Sequence, residues 1–460
     1  MQNLKFLQEL WKQGAEVYEV GGSVRDRLLG LAVKDQDLLV RKIPFVALKN
    51  ILGPFGKVAL VGKSFGVIKF NPHENPDKNF DIALPRTEKS TGVGHRDFEV
   101  MYDPNLDVAT DLGRRDFTIN AMAINMKEGT LIDPFAGKED LSKHLLKQVF
   151  PNAFEEDPLR MVRAVQFAAR FQLTIEEKTW GAMKQKASLI QTVSVERIME
   201  EFRKLFLAEK PSHGFDLMLD SGLMAFLLPE IADLKGVNQD KLPGDDVYSH
   251  TMRVVDATRA DSLMENKNDM ELFLAALFHD TGKKATRAFD SEKNRVAFYG
   301  HQLVSARLVR KWMRRMRVET IGINPKNVET LVLHHMFETK SYFTEKAIRR
   351  FVRKISPDLI FKLLDLRLAD NRGGKHPNST KGVQNMRQRI RTELAKKPPF
   401  GPKDLAITGH DIIAAGIPAG PQMGLILARL VEIVVDDPAL NTKEKLLEAI
   451  HNVAFQKKES

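Results

Sequence analysis

The chain contains no cysteine. Disulfide staples and thiolate metal sites are therefore excluded, and any metal site must be built from oxygen or imidazole nitrogen. No apolar run reaches the roughly 18 residues that a membrane-spanning helix requires, so no membrane partner is expected. The opening MQNLKFLQELWKQG has no signal-peptide pattern and reads as an amphipathic helix. The expected location is the cytoplasm. Internal repeats and low-complexity tracts are also missing. What the chain does have is length and positive charge. Its 460 residues allow ample core, and a length of this order suggests about two to four domains. The formal net charge of +10 suits a polyanionic partner such as RNA. A basic surface that meets no nucleic acid is the plain alternative.

The densest pattern is VYEVGGSVRDRLLGLAVKDQDLLV, from Val17 to Val40. It reads as a strand, a Gly-Gly turn, a helix from Ser23, a loop and a second strand. Asp35 and Asp37 lie two apart on that second strand, so they project from one face. Two carboxylates this close repel unless a cation sits between them. Hard oxygen ligands suit Mg²⁺, which usually also takes substrate phosphates. Gly21 and Gly22 let backbone N–H groups approach an anion, and the helix points its positive end the same way. Arg25, on the first turn, adds a charged fork for a phosphate. A phosphate cradle beside a metal pair is the equipment of nucleotidyl transfer. A solvated D-x-D turn is the competing reading for the two acids taken alone.

Two further strands are expected over VALVGKSFGVIKF and NFDIALPRTE. Asp81, on the second, is either a third carboxylate of the metal site or an edge-strand acid. KSTGVGHRDFEVMYDPNLDVAT reads as a polar loop near the site. The following DLGRRDFTINAMAIN predicts a helix capped by Asp116 or Thr118. Arg114 and Arg115 at its entrance would oppose the helix dipole unless an anion lies near, which favours phosphate or RNA over a solvated basic turn. Asn120 is a further candidate in the same run. The β-rich head is expected to end near Ile132.

In FEEDPLRMVRAVQFAARF, Asp157 and Pro158 read as a helix start. Asp157, Arg160, Arg163 and Phe167 fall on one helical face. A carboxylate and a guanidinium side by side match a specific base edge. Cytosine and adenine each present an exocyclic amine beside a ring-nitrogen acceptor. Uracil and guanine present the reverse and would leave a charge unpaired. Asp157 with Arg160 would thus admit CTP and ATP without a template. An ordinary intrahelical ion pair is the alternative.

The later chain carries a different set. His250 lies in an amphipathic helix, His279 and Asp280 follow an apolar helix, and Asp370 sits in a late helix. Imidazole and carboxylate ligands suit Mn²⁺, Fe²⁺, Ni²⁺ or Zn²⁺, and such a site can activate water toward a phosphate. His301, His334 and His335 are candidate extra ligands or phosphate partners, and Lys283 a candidate phosphate contact. Isolated core or surface histidines are the bland alternative.

GGSVRDRLLG followed by KDQDLLV resembles the opening motif of class II tRNA nucleotidyltransferases and bacterial poly(A) polymerases, within the DNA polymerase beta-like superfamily. RRDFTINA resembles the family's second motif, which implies that Arg115 and Asp116 contact the nucleotide's phosphates and ribose. EDPLRMVRA resembles its nucleotide-selecting motif. That implies base pairing by Asp157 and Arg160, a base or phosphate contact for Arg163, and an orienting role for Glu156. VERIMEEFRKLF, with Arg197 and Arg203, resembles the last neck motif. The order His250, His279-Asp280, Asp370 resembles the HD phosphohydrolases. The resemblance implies an α+β fold: a small mixed β-sheet head (1–141), then an all-α neck (142–210), body (211–245), HD domain (246–375) and tRNA-contacting tail (376–460). The implied activity is Mg²⁺-dependent addition of CCA to the tRNA 3′ end from CTP and ATP, with an HD-type 2′,3′-cyclic phosphodiesterase or phosphatase. A poly(A) polymerase, an A-adding or CC-adding partner of a split system, and an RNA-binding protein with a degenerate head are the alternatives. Oligomeric state is not legible.

Overall fold

The amino-terminal pattern folds as read: α1 (Lys5–Lys12) buries Phe6, Leu7 and Leu10 and leaves Lys5, Gln8 and Lys12 exposed. The structure is a computed structural model and describes residues 4–33, 35–61, 66–90, 98–239, 244–339 and 343–455. The chain divides into two units, Met1–Ala232 and Asp233–Ser460.

The first unit begins with β1 (Glu16–Val20), α2 (Gly22–Leu28), β2 (Asp35–Arg41), α3 (Phe45–Leu52), β3 (Gly56–Val61), β4 (Val67–Pro72) and β5 (Asn79–Ala83). It continues with β6 (Arg86–Ser90), β7 (Phe98–Tyr102), α4 (Val108–Gly113), β8 (Ala123–Asn125) and β9 (Leu131–Ile132). A mixed seven-stranded sheet runs in the order β3-β4-β5-β2-β1-β8-β9. Only β2 and β5 pair in parallel within it; the other neighbours are antiparallel. Side-chain alternation gives the sheet two distinct faces. Val17, Leu38, Val40, Phe80 and Ile82 join Phe6 and Phe70 in one core. The Phe6 ring meets Phe70 and Phe80 edge-on, with centroids 4.9 and 5.3 Å away. On the other face Tyr18, Val20 and Leu39 pack with Val108 and Leu112 of α4. Asp37, two residues before Leu39, shares that second face.

Helices then take over: α5 (Gly137–Ser142), α6 (Ala153–Glu156), α7 (Leu159–Phe171), α8 (Glu177–Lys186), α9 (Val195–Phe206), α10 (Pro211–Asp220), α11 (Leu223–Leu227) and α12 (Pro229–Ala232). They are interrupted by one short parallel pair, β10 (Leu145–Leu146) with β11 (Thr174–Ile175). Ile198, Met199, Phe202, Leu205 and Phe206 recur at helical spacing and bury one side of α9, which packs on α7.

Among the described residues the second unit is helical apart from one hairpin. Its elements are α13 (Val247–Ala260), α14 (Met270–Phe278), α15 (Lys283–Thr286), β12 (Ala288–Asp290), β13 (Arg295–Ala297), α16 (His301–Met316), α17 (Pro325–His334) and α18 (Glu345–Ile355). They are followed by α19 (Ile360–Gly373), α20 (Lys381–Ala395), α21 (Gly409–Ala414), α22 (Pro421–Asp436) and α23 (Lys443–Phe455). Beyond Glu271 in its first turn MELFLAALF is apolar, so α14 becomes the buried centre, packed by α13, α17 and α19. Helices α21 to α23 share a separate apolar core. Among the described residues no helix is long and apolar enough to cross a membrane.

Four local expectations are corrected. VALVGKSFGVIKF is a hairpin of two strands, β3 and β4, rather than one strand; residues 62–65 of it lie outside the described residues. NFDIALPRTE breaks after Ala83, because Pro85 cannot donate to a ladder. The stretch read as a polar loop contains β7, which pairs with β6, and the start of α4. Of that loop, residues 91–97 lie outside the described residues. Finally, the helix expected at RRDFTINA is a single 3₁₀ turn, Thr118–Asn120, followed directly by strand β8. Strand pairing with β1 claims Ala123 before a helix can propagate.

Candidate active sites

In the first unit the carboxylates gather on the two parallel strands. Asp37 is the register partner of Asp81, and Asp35 of Asn79. The Asp35 side chain lies outside the described residues. β5 runs between β4 and β2, so the edge-strand reading of Asp81 is overturned. The chain leaves β1 through Gly21 at φ +75°, a left-handed conformation that favours glycine. A Cβ there would also lie 2.5 Å from Arg115 Nη1 and 3.8 Å from Asp37 Oδ2. The backbone thus favours glycine, and the Arg115 guanidinium rests on the turn beside Asp37. Burial presses the Arg115 pKa down, against the charge of Asp111 that raises it. Arg115 Nε is buried with no hydrogen-bond partner, so the guanidinium still has a donor to give.

Arg114 and Arg115 end α4 rather than start a helix. Cations are welcome at a helix C-terminus, so the dipole argument for an anion at that point falls away. The orphaned Nε makes a separate case for one.

Arg25 does not present the open phosphate fork that its place on the first turn of α2 suggests. It is 5% exposed, and its Nη1 donates to Asn120 Oδ1 at 2.6 Å. Its Nε and Nη2 donate to Asp26 Oδ1, and its guanidinium lies over the Phe171 ring at 4.4 Å. Ser23 Oγ donates to the Val20 carbonyl at 3.2 Å, closing the turn. A Cβ at Gly22 would sit 3.5 Å from Arg25 Nη2.

From Asn120 the polar chain runs into the helices. Asn120 Nδ2 donates to Asp116 Oδ1 at 3.0 Å, and Arg163 Nε to Asp116 Oδ2 at 2.8 Å. Arg163 also meets Glu201 at 3.2 Å. Burial pushes the Asp116 carboxyl up, but Arg163, the Asn120 amide and the Phe117 N–H outweigh it and hold the pKa below the usual range. The 3₁₀ turn and α7 are thereby tied at one buried carboxylate, and Arg163 carries the link on to Glu201 of α9.

Asp157 precedes α7 and accepts from the Leu159 N–H at 3.3 Å, as a capping residue would. It does not pair with Arg160. Arg197 of α9 grips it with two bonds, 3.2 and 2.8 Å. Arg160 instead donates to the carbonyls of Arg114 at 2.9 Å and Ala153 at 3.2 Å, and meets Glu156 at 3.6 Å. Arg203 is exposed and pairs with Glu200 at 3.4 Å. The intrahelical ion pair weighed for Asp157 and Arg160 is absent. Arg197's hold on Asp157 spans 40 positions, and no local spacing signals it.

The second unit brings His250, His279, Asp280 and Asp370 together, with His301 and His335. His250 Nε2 lies 3.4 Å from Asp280 Oδ2 and 3.1 Å from Asp370 Oδ1. His279 Nε2 lies 3.1 Å from Asp280 Oδ2. Across the same carboxylate, His301 and His335 Nε2 lie 3.3 and 3.9 Å from Asp280 Oδ1. Each ring is turned by a backbone carbonyl at its Nδ1: Gly373 at 3.0 Å for His250, and Ala276, Phe298 and Val332 at 2.8 Å for the others. Those bonds place the protons on Nδ1 and turn the Nε2 lone pairs inward. Nε2 atoms then face each other at 3.4 Å (His250, His279) and 3.2 Å (His301, His335). Lone pairs so opposed call for cations between them. Among the described residues two groups that could hold a metal ion share Asp280, one with His250 and His279 and one with His301 and His335. His334 is not in either group. Lys283 Nζ is occupied by Asp280 at 2.6 Å and Gln239 at 3.1 Å, so it offers the Asp280 carboxylate a charge rather than reaching for a phosphate. Burial raises the Asp280 carboxyl, but His279 and Lys283 hold it well below the usual range. Burial, with His279 beside it, presses His335 down to about 3, so its ring is neutral.

Comparison with known proteins places these features. Residues 17–147 match the poly A polymerase head domain, and 172–235 the probable RNA and SrmB-binding site of polymerase A. Residues 247–371 match the HD domain and 376–450 the putative tRNA nucleotidyltransferase domain 2. The multifunctional CCA protein of Paraburkholderia phymatum is 32% identical over 81% of this chain and 88% of its own. That of Nitrosococcus oceani is 32% identical over 87% and 93%. The crystal structure of the Bacillus stearothermophilus CCA-adding enzyme in complex with CTP shares the fold, with a TM-score of 0.72 at 22% identity over the whole of both chains. Family members of this kind use divalent metal, and among the described residues two groups, both containing Asp280, could hold a metal ion. With a sheet-borne acid pair, a helical neck and an HD-type histidine centre in one chain, the protein belongs to the multifunctional CCA protein family of nucleotidyltransferases.

Proposed function

We propose that this chain completes tRNA 3′ ends by adding CCA from CTP and ATP in the cytoplasm, and that its HD centre hydrolyses phosphate esters. The observation that carries the first reading is the meeting of Asp37, Gly21 and Arg115 at one turn, with Asp81 in register beside Asp37. Asp35 and Asp37, with Asp81, would hold Mg²⁺, because an all-carboxylate oxygen set suits that ion. Such an ion would supply Lewis-acid stabilisation to attack by the tRNA 3′ hydroxyl at the α-phosphate, with pyrophosphate leaving. The backbone at Gly21 and Gly22 and the orphaned donor of Arg115 receive the triphosphate. Asp116 and Asn120 hold the ribose side, with Arg163 and Arg25 fixing both from behind. Asp157 and Arg160 read the base edge. Arg197 keeps the Asp157 carboxylate oriented, and the Arg114 and Ala153 carbonyls keep Arg160 in place. Fixing both partners before the nucleotide arrives lets a wrong base leave a charge unpaired.

In the second unit His250, His279, Asp280 and Asp370, with His301 and His335, suit Mn²⁺, Ni²⁺ or Fe²⁺ better than Mg²⁺, since four donors are imidazole. Domain roles follow: head catalysis in 1–141, nucleotide selection in 142–210, and tRNA holding in the tail from 376. The test uses tRNA transcripts ending at the discriminator base, at C and at CC, each incubated with Mg²⁺ and single labelled nucleotides. Completion of all three to CCA is expected. Extension of only the CC end would mean an A-adding enzyme, and long A tails a poly(A) polymerase.

A further inference from the structure

The hairpin that leads into the histidine centre carries aromatic rings that folding leaves in water. Phe289 on β12 is 66% exposed, and Tyr299, just after β13, is 62% exposed. Exposed rings on an ordinary surface are free to turn, but Tyr299 is not. Its hydroxyl donates to Asp290 Oδ2 at 2.6 Å and accepts from Lys293 Nζ at 2.5 Å. The Lys293 ammonium also lies 5.1 Å from its ring centroid. A large flat face is thus held still at the surface.

Its position relates it to the metal centre. Tyr299 stands two residues before His301, so their Cα atoms are at most about 7.6 Å apart. The chain that flanks Tyr299 is itself fixed, because Phe298 O accepts from His301 Nδ1 at 2.8 Å and Lys283 lies over the Phe298 ring at 5.4 Å. That separation is on the scale of one nucleotide, from phosphate to base. The charge around it extends further than one nucleotide. Arg287, Lys293 and Arg295 are exposed on the hairpin. Helix α16, which starts at His301, has the sequence HQLVSARLVRKWMRRM and contains no acid. Arg307, Lys311 and Arg314 recur there at i, i+4 and i+7, all exposed along one face. A fixed aromatic face with a cationic track running on from it is the equipment for single-stranded nucleic acid: bases stack and phosphates follow the charge.

We propose that Tyr299 is a base-stacking residue that presents the 3′ end of a single RNA strand to the histidine centre, with the α16 stripe guiding the upstream backbone. The substrate of that centre is then an RNA end rather than a free small phosphate ester. This rests on the phosphohydrolase reading above, and the test separates the two. The full chain, loaded with Mn²⁺ or Ni²⁺, is given a ten-nucleotide RNA ending in a 2′,3′-cyclic phosphate, or glycerol 1,2-cyclic phosphate, which has the same ester ring and no base. Tyr299→Ala should raise KM for the RNA about tenfold or more and leave the glycerol ester unchanged. Tyr299→Phe, which keeps the ring, should retain most of the RNA preference. Lys311→Glu with Arg314→Glu should weaken RNA alone and flatten its salt dependence. Equal rates for both variants and the wild type on RNA would overturn the stacking role while leaving hydrolysis intact. Hydrolysis of neither ester by the wild type would remove the phosphohydrolase reading instead. Photocrosslinking of an RNA with 4-thiouridine at its 3′ end decides the stacking role in that case: label on the Tyr299 peptide upholds it, and label only elsewhere refutes it.

Discussion

In the head, Asp35 and Asp37 sit on one strand and Asp81 on its parallel neighbour. The second unit draws His250, His279 with Asp280, His301, His335 and Asp370 from five places between α13 and α19. In the reading proposed above both centres hold cations for phosphate chemistry, and they are built under different constraints. A strand brings two acids together by its own geometry, at period two, and leaves the fold to supply only the anion side. Imidazoles on separate helices meet only after the helices pack. Each ring there needs its own carbonyl to set its tautomer. The head centre is also tied to the neck by buried charge through Asp116 and Arg163, whereas the histidine centre is enclosed by the apolar α14. The head site is thus expected to depend on long-range salt bridges, and the histidine site on core packing.

That contrast can be broken most directly by removing the acids. Asp35→Ala with Asp37→Ala should lower nucleotide addition by about 10³-fold or more and leave cyclic phosphate hydrolysis unchanged, measured on the same preparation. Loss of both activities would show that the centres are not separate. The converse, His279→Ala, should cut hydrolysis and transition-metal content by about 10²-fold while CCA addition continues, checked by metal analysis beside the incorporation assay. Arg197→Ala sharpens the claim that Asp157 is pre-oriented. Preference for CTP and ATP over UTP and GTP should fall about tenfold, read as ratios of kcat/KM, with folding intact by circular dichroism.

The smallest effect concerns Asp116. Its folded carboxyl is held below the ordinary value of 3.8 by Arg163, Asn120 and Phe117 N–H, which outweigh the cost of burial. A depressed pKa adds stability that is fully present above the unfolded value and is lost as pH falls through the folded one. Asp116→Asn should cost about 1–3 kcal/mol at pH 7. It should also remove part of the acid-side loss of stability below about pH 4, seen in urea titrations at several pH values. An unchanged acid limb would mean that Arg163 is satisfied by Glu201 alone.

Groupings of residues close in the chain were legible without coordinates: Asp35 and Asp37 fall on one strand, Gly21 takes the left-handed turn after β1, and His279 meets Asp280. Misreadings cluster where a distant partner claims the backbone. The RRDFTINA run looked helical, but β1 takes Ala123 into the sheet. The 89–110 stretch looked like a loop, but β6 supplies a partner for β7. Arg25 looked free for a phosphate, yet Asn120, 95 positions away, occupies it.

By itself, the order of residues determined which chemistries the chain can support: oxygen and imidazole ligands but no thiolates, an acid pair at strand period, and an acid–arginine helix. Only the tertiary structure decided the pairings among charges, such as Asp157 with Arg197 and Asp116 with Arg163, and the joining of His301 and His335 to the Asp280 centre. The reason is range. Backbone periodicity reaches a few residues along the chain, while a charge in a buried, low-dielectric place takes whichever partner packing brings within about 3 Å.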